Sequence, residues 1–198
     1  MTALLAGRVD EAGYAAYLLR LRTVYASIEM VGSAHAADPC VAEVLDPSLE
    51  RLNALDADLA FWSPDLPTAV DSPATDSYAV RVHASAVWGG LFIAHHYTRY
   101  LGDLSGGQAI GRILSREFDL PDNGAGVAFY AFPQIPKPKP YKDAYRARLD
   151  GLRLGTAAKG RIVDEVKRAF RLNQALLAEL DETVTACART PRSHRARH

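Results

Sequence analysis

The sequence predicts a single all-α domain of about seven or eight helices. Two observations predict it. Apolar residues recur at steps of three and four through most of the chain, and no stretch keeps the period-two alternation of a half-buried strand over a useful length. The breaks between the stripes are short and rich in Pro and Gly. The 198 residues, 48% hydrophobic and 23% charged, suffice for one domain with a sizeable core. There is no internal repeat and no second composition regime. The expected layout is a helical domain over 1–186 followed by a basic, disordered tail over 187–198.

In chain order, Tyr14, Leu18, Leu21, Tyr25 and Ile28 form the first apolar stripe, and Gly32–Pro39 reads as a loop. Asp46-Pro47 carries a helix-start signal, an acceptor side chain followed by a residue suited to the first turn. Leu49, Leu52, Leu55, Leu59 and Trp62 continue that stripe until Pro64 and Pro67 break it. Ser72-Pro73 repeats the signal and opens a helix through Tyr78 and Val82. A long, partly helical stretch interrupted by glycines runs from Trp88 to Phe118. Residues 119–140 are Pro- and Gly-rich, and the four prolines of Pro133–Pro140 exclude helix interior and central strand. Tyr141–Leu152 reads as a short helix and Thr156–Thr185 as a long one, with Ile162, Val166, Phe170, Leu177 and Leu180 on or near one face.

Charge and cysteine content remove several function classes. Lys plus Arg equals Asp plus Glu, 23 each, so no basic excess argues for nucleic acid. Cys40 and Cys187 lie in no disulfide or zinc spacing. The first thirty residues mix charged with apolar ones, unlike a signal peptide, and the longest apolar run, around Leu91–Ala94, falls far short of the roughly 20 residues that span a bilayer. The chain is therefore expected to be soluble and cytoplasmic, with no membrane partner. The tail Arg189–His198 holds four Arg, two His and one Pro, the composition of a solvated tail.

The informative stretch is His95-His96-Tyr97-Thr98-Arg99-Tyr100-Leu101-Gly102-Asp103-Leu104-Ser105-Gly106-Gly107-Gln108. Three glycines sit inside a helical pattern, each costing about 1 kcal/mol relative to Ala. Gly102 and Gly106 share one face and leave a bare strip of backbone, with a natural kink at Gly106-Gly107. Such a strip serves either a tight helix crossing or the close approach of something flat. Arg99 and Asp103 are also four apart and suited to pairing. The hydroxyls of Tyr97, Thr98, Tyr100 and Ser105 suit a ligand pocket with a water network better than a dry crossing.

Tyr97 through Gln108 resembles the distal-helix signature of haem oxygenases at all twelve positions, and the resemblance extends from Leu5-Ala6-Gly7 to about Leu180. It implies an all-α fold with haem, both substrate and cofactor, held between a proximal and a distal helix. Gly102 and Gly106 would lie against the porphyrin. Asp103 would orient a distal water, in a network with Arg99, Tyr25 and Asn173. Lys142 and Arg146, four apart, would meet the haem propionates, with Tyr97 and Ser105 beside them. Phe129 and Phe170 would be apolar pocket walls. The implied reaction cleaves haem to biliverdin, carbon monoxide and ferrous iron with dioxygen. Its electrons would come from a separate reductase or ferredoxin, since Gly102–Gly107 lacks the spacing of a nucleotide-binding loop. A monomer is the default.

Family members carry the proximal histidine shortly before the position matched by Met1. His35, His83, His95, His96, His194 and His198 do not match it, so the metal ligand is unknown from the sequence. Three explanations stand: a reading frame that begins upstream, a shortened relative that binds haem weakly or not at all, or a substitute ligand. The alternative function is a non-catalytic haem or tetrapyrrole binder. Without a preceding helix, an apolar groove is expected beside Tyr14 and Leu18, with reduced stability.

Overall fold

The computed structural model describes residues 10–64, 70–120 and 124–189, with side chains to residue 185. Among these, eight α-helices and no strands appear. They are α1 (Glu11–Ala34), α2 (Pro39–Ala42), α3 (Leu52–Trp62), α4 (Pro73–Ala84), α5 (Gly89–His96), α6 (Gln108–Glu117), α7 (Pro138–Gly151) and α8 (Thr156–Arg189). Two π-helical stretches, Tyr97–Leu101 and Asp103–Gly107, join α5 to α6. No helix of the described residues is long and apolar enough to cross a membrane. Helix α8 runs on through the first three residues of the predicted tail, to Arg189, and the rest of that tail, residues 190–198 with His194 and His198, lies outside the described residues.

Helix α1 is the axis of the core. Asp10 caps it by accepting from the Gly13 amide at 2.8 Å. Tyr14, Leu18, Leu21, Tyr25 and Ile28 are all buried, and α1 packs on α3, α4 and α8. The groove expected beside Tyr14 and Leu18 is not there: both are fully buried. Tyr14 sits edge-on to Trp62 at 5.5 Å and stacks on Phe118 at 6.4 Å, so aromatic rings from α3 and the end of α6 cover it.

Other local signals meet different outcomes. Ser72 caps α4, its hydroxyl accepting from the Thr75 amide. Asp46 caps only a 3-10 turn, Pro47–Leu49. Helix α3 starts later, where the Glu29 carboxylate of α1 accepts from the amides of Arg51 and Leu52 at 2.6 and 3.1 Å. The cap of α3 is therefore tertiary, supplied from 22 residues away. The expected loop after Gly32 holds the end of α1 and the short α2. Helix α7 begins inside the proline run, with Pro138 and Pro140 in its first turn. The first four amides of a helix have no partner within it, so proline is tolerated there.

Candidate functional site

The segment from Gly89 to Glu117 is one long helix loosened in the middle. Its π stretches cover the glycine-rich signature and replace the predicted kink with extra residues per turn. The outer face of this stretch is bare. A Cβ added at Gly102 or at Gly106 would meet nothing within 4 Å, and both residues are exposed. The strip is therefore not a helix crossing. Its other glycines have a different job. A Cβ at Gly107 would come 3.1 Å from the Tyr130 ring, and one at Gly111 2.9 Å from Tyr130 Cβ, so these two admit a neighbour from the 3-10 turn Ala128–Tyr130.

Directly inward from the bare strip lies a polar cluster. The Tyr25 hydroxyl of α1 donates to Asp103 Oδ2 and accepts from Arg99 Nε at 3.2 Å. Arg99 and Asp103 thus meet at a tyrosine from another helix. Arg99 Nη1 also donates to Asn173 Oδ1 of α8 at 2.5 Å, and its guanidinium lies 5.1 Å from the centre of the Tyr25 ring. Burial raises the Asp103 carboxyl above the usual carboxylate range, partly offset by the Arg99 charge and the Tyr25 bond. Burial likewise pushes the Tyr25 phenol well above its ordinary value, so it stays protonated and donates. Tyr17 joins the cluster through Arg99. The sequence reading passed over it, although it lies two turns before Tyr25 on the same face of α1.

Cations stand at one end of the strip. Lys142 Nζ of α7 donates to Ser105 Oγ at 2.9 Å, and the Ser105 hydroxyl in turn donates to the Leu101 carbonyl at 2.6 Å. Arg146, one turn along, is exposed and interacts with the Tyr97 hydroxyl. Ser105, Lys142, Tyr97 and Arg146 therefore form one rim. Helix α7 is anchored beneath them by Tyr141, whose hydroxyl donates to Asp46 Oδ2 at 2.6 Å, and by buried Tyr145.

Two proposed wall residues take opposite positions. Phe129 is 1% exposed and stands edge-on to Tyr25 at 5.3 Å, so it backs the cluster from the core and lines no open surface. Phe170 is 54% exposed on α8. Two of the expected hydroxyls turn away from the strip: Thr98 donates to the Ala94 carbonyl and Tyr100 to Glu29.

The described histidines do not face the strip. His95 Nε2 lies 2.9 Å from Glu165 Oε1, and Glu165 is also held by Arg81. His96 Nδ1 lies 2.9 Å from the Tyr145 hydroxyl, and burial, helped by Arg148, lowers its pKa to about 3. His35 ends α1 and His83 lies in the last turn of α4, both at the surface. A strip of backbone without side chains, a buried acid–base cluster beneath it and two cations at one edge suit a planar ligand with anionic groups on one side. No described histidine supplies a metal ligand to that face.

A family model described as heme oxygenase matches residues 1–179. The chain is 38% identical over 183 residues to heme oxygenase 1 of Rattus norvegicus, covering 90% of this chain and 63% of that protein. It is 37% identical to heme oxygenase 1 of Nostoc sp., covering 89% and 75%. It thus spans a little under two thirds of the length of its mammalian relatives. Among solved structures it superposes with a TM-score of 0.88 and 32% identity on heme oxygenase-2 of Synechocystis in complex with heme and NO, covering 94% of this chain and 79% of that one. Heme oxygenase from Leptospira interrogans gives 0.84 and 34%, covering 90% and 88%. By family model, sequence and fold together, the chain belongs to the haem oxygenase family.

Proposed function

We propose that this protein binds haem on the Gly102–Gly106 strip and cleaves it to biliverdin, carbon monoxide and ferrous iron, using dioxygen and electrons from a separate reductase or ferredoxin. The observation that carries this reading is the pairing of the bare strip with the Tyr25–Arg99–Asp103–Asn173 cluster directly behind it. A helix crossing would need the first and not the second.

Bound haem would supply the iron that activates dioxygen. The chain's own residues do the rest. Gly102 and Gly106 would let the helix backbone approach the ring, since nothing else occupies the space in front of them. Asp103 accepts a hydrogen bond from Tyr25 and orients a water on the ligand side, from which a proton is delivered. Arg99, fixed by Tyr25 and Asn173, keeps a positive charge beside that carboxylate. Phe129 prevents Tyr25 from retreating into the core. Lys142 and Arg146 would hold the propionates as ammonium and guanidinium donors, with Tyr97 and Ser105 completing the rim. Phe170, exposed on α8, offers an apolar contact at the margin. The same reading has the protein acting as a monomer in the cytoplasm.

One observation favours a second reading, that of a non-catalytic haem or tetrapyrrole binder: no described histidine faces the strip. Hemin-loaded protein, given reductant in air, separates the two. Decay of the Soret band with growth of biliverdin absorption is the expected result. A stable hemin spectrum selects the binder.

A further inference from the structure

A second concave surface lies between α8 and the pair α4–α5. It is a groove of about 500 Å³, with buried Leu91 and Glu165 in its lining, Arg81 of α4 beside them, and Arg161, Arg168 and Arg171 of α8 along its length. It is separate from the strip. At about 100° per residue, Arg168 and Arg171 stand roughly 140–160° around α8 from Asn173, the residue that this helix presents to Arg99.

The carboxylates of the groove are already matched. Glu165 is held by Arg81 and by His95 Nε2 at 2.9 Å. Asp164 accepts from Lys167 Nζ at 3.0 Å. Among the described residues, no carboxylate pairs with Arg161, Arg168 or Arg171, and all three are exposed. The groove therefore keeps three guanidinium groups without a counter-ion, spread over about 15 Å of helix. Arg168 and Arg171, three residues apart, are like charges on adjacent turns, which weakens the helix unless an anion lies between them. Arg161 is held in place, its guanidinium 4.4 Å from the centre of the Trp88 ring.

We propose that this groove is a binding site for a polyphosphate chain, free or carried by a nucleotide. A guanidinium group takes phosphate oxygens in pairs. A lone carboxylate brings one charge to three cations, whereas linked phosphoryl groups bring several charges within one small ligand. The volume is that of a small-molecule site, and a protein partner would need a patch of about 800 Å². The groove stands apart from the haem-cleaving reading and neither depends on it nor supports it.

Calorimetric titration of the full chain without haem, with sodium tripolyphosphate at physiological salt, tests the site. One saturable site per chain is expected, with a dissociation constant below about 1 mM. Arg168→Ala/Arg171→Ala is expected to weaken it at least about tenfold and to leave hemin binding unchanged. Lys142→Ala/Arg146→Ala, which removes the other exposed pair of cations, is expected to keep the tripolyphosphate affinity within about twofold. Citrate, with three carboxylates, is expected to bind at least about tenfold more weakly than tripolyphosphate. ATP separates the two sources of the chain: tighter binding than tripolyphosphate assigns the site to nucleotides, and equal or weaker binding assigns it to the free chain. Failure to saturate overturns the proposal. So does a site that survives loss of Arg168 and Arg171 but not of Lys142 and Arg146, and so does citrate binding as tightly as tripolyphosphate.

Discussion

At the scale of single residues, the glycines of one helix divide into two kinds, and one substitution tells them apart. Gly102→Ala and Gly106→Ala add a methyl group in open space within a helix. Each is expected to leave stability unchanged or to raise it by up to about 1 kcal/mol. Each is also expected to cut biliverdin formation at least tenfold, because the methyl group occupies the face the ring would use. Gly111→Ala puts its methyl against Tyr130 Cβ at 2.9 Å, where a rigid neighbour must move. Chemical denaturation should show a loss of about 1–3 kcal/mol for it. Asp103 is tested by charge. Asp103→Asn keeps the shape and removes the acceptor strength that orients a water. Turnover should drop about 10²-fold while the hemin dissociation constant stays within a few-fold. A variant that bound hemin poorly would make Asp103 a binding residue instead.

At the scale of elements, α7 works as a rim and α8 as a back wall. Lys142 and Arg146 reach the edge of the strip because Tyr145 is buried between them and Tyr141 is tied to Asp46. The double variant Lys142→Ala/Arg146→Ala is expected to weaken hemin binding about tenfold and to leave the affinity for a propionate diester nearly unchanged. Equal losses for the two ligands would remove the propionate role. Helix α8 is held to α4 and α5 by Glu165, which is almost fully buried and receives Arg81 and His95. Glu165→Gln leaves both partners short of a charge. A loss of about 2–4 kcal/mol in denaturant unfolding is expected, with hemin binding retained once the protein is folded.

At the scale of the whole molecule, two buried groups set the acid limb of stability. Burial and Arg148 keep His96 neutral down to a pH of about 3, whereas in the unfolded chain it takes up a proton below about 6.5. Between those limits the unfolded state binds more protons, so stability falls as pH drops from 6.5 towards 3, by at most about 1.4 kcal/mol per pH unit. Burial pushes Glu165 up, but Arg81 and His95 more than offset it, leaving its pKa at about 2 against 4.5 in the free state. Its contribution is complete above 4.5 and is lost as pH falls to 2. Unfolding free energies measured from pH 7 to pH 3 should therefore decline in two stages. His96→Gln should flatten the stage above 4.5 and make the one below shallower, leaving there only the part that Glu165 contributes. An unchanged upper stage in that variant would assign it to other groups.

The sequence by itself determined the all-helical class, the stripe of α1, the cap of α4 and the glycine-rich stretch as the place where chemistry sits. These are local or periodic properties, written within one or two helical turns. Only the tertiary structure decided which glycines face open space and which face Tyr130, because residues one to four apart on a helix say nothing about what lies opposite. It also decided that Glu29 starts α3 in place of Asp46, and that Arg99 and Asp103 meet through Tyr25, 74 and 78 residues away in sequence. Phe129 and Phe170 were alike as aromatic letters, and burial separated them. Tyr17 carried a signal in its spacing from Tyr25, but a buried tyrosine on an apolar stripe looks like core until its hydroxyl is seen against a guanidinium. Periodicity fixes which face of an element is inward, and packing alone fixes which inward groups touch.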